Sequence, residues 1–273
     1  GKSEVAEFIK VILQETLEET MAKAFARLAV IDSRRWIAFL LDILPRLVDV
    51  DFDQLSDEKK RMLQMFYVTV WGETASDWNS DKVLENLYNL ADSPVMLSEL
   101  IALLQYHFNH IDFIDEPVNL GFACPLDLHC TYTRDQILVA MDFMKPNTVR
   151  EGVKYLPEKK ADIFFVTLNK SDKDYSPTTM YNDYSISETL FHWQSQSTTS
   201  ADSATGRRYI HHKESGNRIL LFVREFKSDR NFGGAGAYTF LGTANYVKHD
   251  GSRPMNITWK LDRPIPAKFL KKT

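Results

Sequence analysis

The sequence predicts an α+β chain. A helical bundle or connector over residues 1–115 precedes a small twisted β-barrel with flanking helices over 116–273. Three observations lead there. Apolar residues recur at helical spacing up to about residue 110. A stretch punctuated by Pro117, Gly121 and Pro125 breaks that pattern. Beyond Gly152 the apolar period drops to two, with glycine-containing turns between short runs.

The elements follow in order. Val5, Phe8, Ile9, Ile12, Leu13 and Leu17 form a stripe on a first helix, whose opposite face carries Glu15, Glu18 and Glu19. Ser33 is placed to cap "RRWIAFLLDIL", which Pro45 limits, and Ser56 to cap "DEKKRMLQMFYVTVW". Ser80 precedes "DKVLENLYNLA", and Ser93-Pro94 opens "VMLSELIALLQYHFNH" with proline at the first helical position. Thr133 and Gln136 have capping-box spacing and start a short helix. "DIFFVTLNK" reads as a strand. "RRYIHHKESGNRILLFVREF" reads as a hairpin around Ser215-Gly216-Asn217. "AYTFLGTANYVKH" and "MNITWKL" are strands joined at Asp250-Gly251.

Composition narrows the function classes. The 273 residues are 44% hydrophobic and 26% charged, which suits a globular chain long enough for two domains. No apolar run reaches 18 residues, and Glu4, Glu7 and Lys10 interrupt the first apolar stretch, so neither a membrane helix nor a signal peptide is expected. Two cysteines, Cys124 and Cys130, make no disulfide scaffold, and a reducing cytoplasm is the default expectation. The start at Gly1-Lys2 suggests a piece of a longer polypeptide. The net charge of −4 hides an asymmetry. Residues 124–273 carry 22 Lys and Arg against 16 Asp and Glu, a balance of +6, while 1–123 balance at −10. The basic half is the candidate for a polyanion.

Catalytic readings are weak. Glu225 and Lys227 with Asp183 have the skeleton of a metal-dependent nuclease but no supporting context. His107, His110, Cys124, His129 and Cys130 are zinc-ligand types at spacings that match no common zinc pattern. His211-His212 lack a nucleophile turn, and "FGGAGAY" lacks the Lys-Ser/Thr of a phosphate loop. The chain itself is therefore expected to hold no catalytic set, metal or cofactor. Recognition fits better. "MYNDYSISETLFHWQSQSTTS", residues 180–200, sets five aromatic rings among amides and hydroxyls, with no Lys or Arg. Arg150, Lys170 and Lys173 precede it, and Arg207, Arg208 and Arg224 follow. Cations meet phosphates, rings stack on an exposed base, and Gln, Asn and Asp read hydrogen-bonding edges. Phe191 and Trp193, two apart on a strand, also fit a barrel core.

"PLDLHCTYTRDQIL", "REGVKYL", "VTLNKSDKDYSPTTMYNDYSISETLFHWQSQSTTSADSATGRRYIHH", "LLFVREF", "YTFLGTANYV" and "GSRPMNITWKLDRPIP" carry a resemblance over about residues 124–267. This region is similar to the C-terminal domain fused to superfamily-two helicases in bacteria, as in modification-dependent (Type IV) restriction endonucleases of the SauUSI kind. The resemblance implies an SRA/PUA-like target-recognition module that flips 5-methylcytosine or 5-hydroxymethylcytosine out of double-stranded DNA. It also implies helicase and nuclease domains earlier in the same polypeptide, with ATP and Mg used only there, and a possible homodimer of the full-length protein. Tyr181, Asp183 and Trp193 follow the order of the SRA pocket, with the acid one residue early and Trp in place of Tyr. Tyr184 or Tyr175 is the alternative partner ring. Asp183 would accept from the cytosine amine with help from Gln194 or Gln196. Lys170, Lys173, Arg207, Arg208, Arg150 and Arg224 would hold the DNA backbone.

Overall fold

A computed structural model of the chain describes residues 1–169, 182–227 and 236–270. The described chain is α+β and divides into two compact units. The first comprises Gly1–Leu126 and Cys130–Thr148, the second Asp127–His129 and Val149–Thr273. The boundary expected at 115/116 falls inside the first unit.

The first unit contains helices α1 (Lys2–Leu28), α2 (Arg34–Ile43), α3 (Asp57–Trp71), α4 (Asp81–Ala91), α5 (Pro94–Asn109) and α6 (Arg134–Ala140), with a two-residue strand β1 (Thr131–Tyr132). Three caps act as expected, whereas Ser80 and Ser93 precede their helices without a side-chain cap hydrogen bond. Ser33 Oγ accepts from the Trp36 amide and Ser56 Oγ from the Lys59 amide. Thr133 and Gln136 exchange side-chain and backbone hydrogen bonds in a full capping box. Helix α2 ends at Ile43, and Pro45 continues it only as a 3-10 turn, Leu44–Asp49. Helix α3 is buried all round from Arg61 to Val70, so its polar groups need internal partners. Gln136 Nε2 on α6 donates to Thr69 Oγ1 at 2.8 Å, and Arg27 Nε on α1 donates to the Thr69 carbonyl at 2.8 Å. Gly72 closes α3 in the left-handed conformation, φ 73°.

The apolar stripe expected to bury α1 does so only in part. Leu17, Met21, Ala24 and Leu28 are buried, whereas Val5, Phe8, Ile9 and Ile12 are 58%, 66%, 50% and 45% exposed. Local periodicity is right, but no other described element covers the first turns.

The second unit contains β2 (Val153–Leu156), β3 (Ala161–Asn169), β4 (Tyr184–Ser185), β5 (Leu190–Gln194), α7 (Ala204–Ile210), β6 (Arg218–Phe226), β7 (Tyr238–Asp250) and β8 (Asn256–Leu261). Strands β2 to β8 hydrogen-bond in the order β2-β3-β6-β7-β8-β5-β4. All pairs are antiparallel except β3 with β6. Among the described residues β2 and β4 are edges, so the hydrogen bonding gives an open, mixed sheet where a closed barrel was expected. The sheet is nonetheless curled. Phe164 on β3 and Trp193 on β5 lie four strands apart in the order yet stack at 4.1 Å, 13° between planes. Around them pack Tyr209 of α7, Trp259, Ile257 and Leu221.

One element is corrected. The hairpin read across residues 207–226 does not form: Ala204–Ile210 is helix α7, with Ser203 Oγ accepting from the Gly206 amide. His211 and His212 follow the helix rather than lying on a strand, and Gly216, φ 73°, serves the turn that leads into β6. Tertiary packing of Tyr209, fully buried beside Phe164 and Trp193, decides for the helix.

Candidate functional site

The aromatic segment enters the described structure at Asn182, and four contacts pin it to β5. The Gln194 backbone amide donates to Asp183 Oδ1 at 2.8 Å, and the Asn182 amide donates to Gln194 Oε1 at 3.0 Å. His192 Nδ1 donates to the Asn182 carbonyl at 2.8 Å. The Tyr184 and His192 rings stack at 4.5 Å, 10° between planes. Gln194 Nε2 then donates to Asn256 Oδ1 on β8 at 3.3 Å.

Strand pairing sets these groups in rows. Directly opposed residues of antiparallel strands point to the same face. Tyr184 opposes His192, His192 opposes Thr258, and Thr258 opposes Lys248 on β7. Gln194, Asn256 and Asp250 form the next row, and Leu190, Lys260 and Asn245 the row on the other side. Phe191, Trp193, Ile257 and Trp259 have the opposite parity and point into the core. The outer face of β4-β5-β8-β7 is thus a stacked Tyr/His pair among amides and lysines. Lys248 and Lys260 are exposed, and Tyr184, His192, Gln194 and Asn256 are half-buried.

The expected site residues distribute unevenly. Lys170, Lys173, Tyr175 and Tyr181 lie outside the described residues. Asp183, Tyr184 and Gln194 come together at the sheet edge. Gln196 turns elsewhere: its Oε1 accepts from Tyr209 Oη at 3.3 Å and Thr199 Oγ1 at 3.2 Å. Trp193 must be corrected as a base-stacking ring, because it is 4% exposed and Phe164 covers it. Arg208 is corrected as a backbone clamp. Its Nε and Nη2 hold the fully buried Asp162 at 2.8 and 2.9 Å, and its guanidinium lies 3.8 Å from the Tyr155 ring centroid. Burial pulls the Arg208 pKa down, but the hydrogen bonds and charge of Asp162 outweigh it and leave the net shift upward. Arg224 is likewise engaged, by Thr167 Oγ1, the Gly236 carbonyl and the Tyr238 ring. Arg207 and Arg150 are exposed.

Sequence reasoning missed His192, Asn256, Thr258 and Lys248. The signal existed: if Phe191 and Trp193 face the core, His192 and Gln194 face outward. Among the described residues no three His, Cys, Asp or Glu side chains are placed to hold a metal ion.

The fold and this face define an α+β protein whose second unit presents a polar, aromatic sheet surface. The chain belongs to the family described as a domain of unknown function (DUF3427), whose model matches residues 126–272. No curated protein matches the chain.

Proposed function

We propose that the second unit is a DNA target-recognition module that works through the outer face of β4-β5-β8-β7. The observation that carries this reading is the row Tyr184–His192–Thr258–Lys248, a stacked ring pair in line with a cation and flanked by Gln194 and Asn256. Rings of that kind stack on a base at about 1–3 kcal/mol each, amides read base edges, and lysines meet phosphates. A base in a duplex offers its face only once it leaves the stack, so the module takes an extrahelical base. The +6 balance of residues 124–273 supports a polyanionic partner.

The finer reading follows the resemblance noted from the sequence. The base is 5-methylcytosine or 5-hydroxymethylcytosine in double-stranded DNA, the curled sheet is an SRA-like scaffold, and the module directs helicase and nuclease domains of a longer, homodimeric restriction enzyme. Tyr184, with His192 behind it, takes the stacking role first assigned to Trp193. A buried methyl adds only about 0.8 kcal/mol, so strong discrimination needs shape exclusion as well.

Titration of matched duplexes with and without 5-methylcytosine at fixed salt tests both levels. The modified duplex is expected to bind more tightly, and Tyr184→Ala to remove that preference while leaving salt-dependent background binding. Equal affinities would remove the modified-base reading, and absence of binding to either duplex would remove the DNA reading.

A further inference from the structure

We propose that His212 is a positioning residue for the outer face: it bridges β6 and β7 at the point where β7 bulges, and so holds Lys248 outward.

The register of β7 against β8 shifts by one residue between Tyr246 and Lys248, leaving Val247 without an opposite number. The shift decides which side chain meets the row. With it, Asn245 and Lys248 both face outward and Tyr246 packs against Trp259. Without it, side-chain alternation would put Val247 in the row beside Thr258 and turn Lys248 toward the apolar side.

Paired residues of β6 and β7 end at Ile219 with Ala244, so the Tyr246 amide lies beyond the last strand partner on that side. His212 takes that place. The Tyr246 amide donates to His212 Nε2 at 3.0 Å, and His212 Nδ1 lies 2.9 Å from the Asn217 carbonyl just before β6. A carbonyl only accepts and an amide N–H only donates, so the ring is the neutral Nδ1–H tautomer. It serves as one further rung between the two strands, immediately before the bulge.

The surroundings keep it neutral. His212 is 3% exposed, its ring 5.6 Å from that of Trp259, and burial lowers its pKa below the ordinary value. The Asn217 carbonyl opposes that shift, Lys213 beside it in the chain adds to it, and Asp162 of β3 and Asp262 after β8 oppose it weakly. A proton on Nε2 removes the only acceptor for the Tyr246 amide in this bridge.

This role rests on the outer-face reading for its functional meaning, and its test separates the two. In NMR spectra of the unmodified protein, acidification through the His212 titration is expected to shift the Tyr246, Val247 and Lys248 amides together. Titration of the ring with no response at Lys248 would overturn the proposal, whether or not DNA binds. In DNA titrations, Lys248→Ala is expected to lower the salt slope by about 0.9. His212→Leu should lower it equally, the double variant should lose no more than Lys248→Ala alone, and His212→Gln should recover part of the loss. Additive losses from His212→Leu and Lys248→Ala would show a merely structural histidine. If wild type binds no DNA, the outer-face reading fails while the amide titration still decides the role of His212.

Discussion

Arg207 and Arg208 are neighbours in sequence with different fates. Arg208 turns inward to a carboxylate that receives three hydrogen bonds, two from its own guanidinium and one from Asn217 Nδ2 at 2.8 Å. Removing one partner of a buried pair leaves the other charge uncompensated. Arg208→Met is therefore expected to lower stability by about 3–5 kcal/mol, measured by urea unfolding. Arg207→Ala, on the exposed side, should stay within about 0.5 kcal/mol of the parent. The basic pair was legible in the sequence, but its division was not, because Asp162 lies 46 residues away and only the fold brings it close. Trp193 failed as a base platform for the same reason: its stacking partner is Phe164, on a strand far away in sequence. That Tyr184 stays only half-buried was legible, because an aromatic beside turn-forming polar residues has few local reasons to be buried.

At the level of elements, local chemistry was the part that could be read ahead. Ser33, Ser56 and Thr133 cap because the hydrogen bonds they make lie within three residues, so nothing distant competes. Helix α7 was misread because its strongest signal is tertiary. Its glycine faces the preceding loop so closely that a Cβ at Gly206 would run into the Ser200 carbonyl oxygen. Gly206→Ala is thus expected to destabilise by about 1–3 kcal/mol, against the usual gain from alanine in a helix, and a lowered thermal midpoint by circular dichroism would show it. The β7 bulge was equally invisible, because His212, which takes up the Tyr246 amide beside it, comes from another element.

At the scale of the whole molecule, the division into a helical part and a sheet part followed directly from the change of period. The open edges did not, since closure depends on which strands meet, not on how each one reads. The exposed stripe of α1 belongs to this scale too. Phe8 and Ile9 contribute little to the unit that carries them, so Phe8→Glu with Ile9→Lys is expected to leave unfolding free energy within about 0.5 kcal/mol of the parent in denaturant melts. A loss several times larger would mean that the stripe is covered.

The parallel pairing of β3 with β6 has a further consequence, for synthesis. As the chain leaves the ribosome, "DIFFVTL" emerges with β2 as its partner among the described strands, and β4, β5 and α7 must all be made before β6 arrives. During that interval an almost wholly apolar ribbon stands bare on one edge, which makes it a segment of the nascent polypeptide for chaperones to grip.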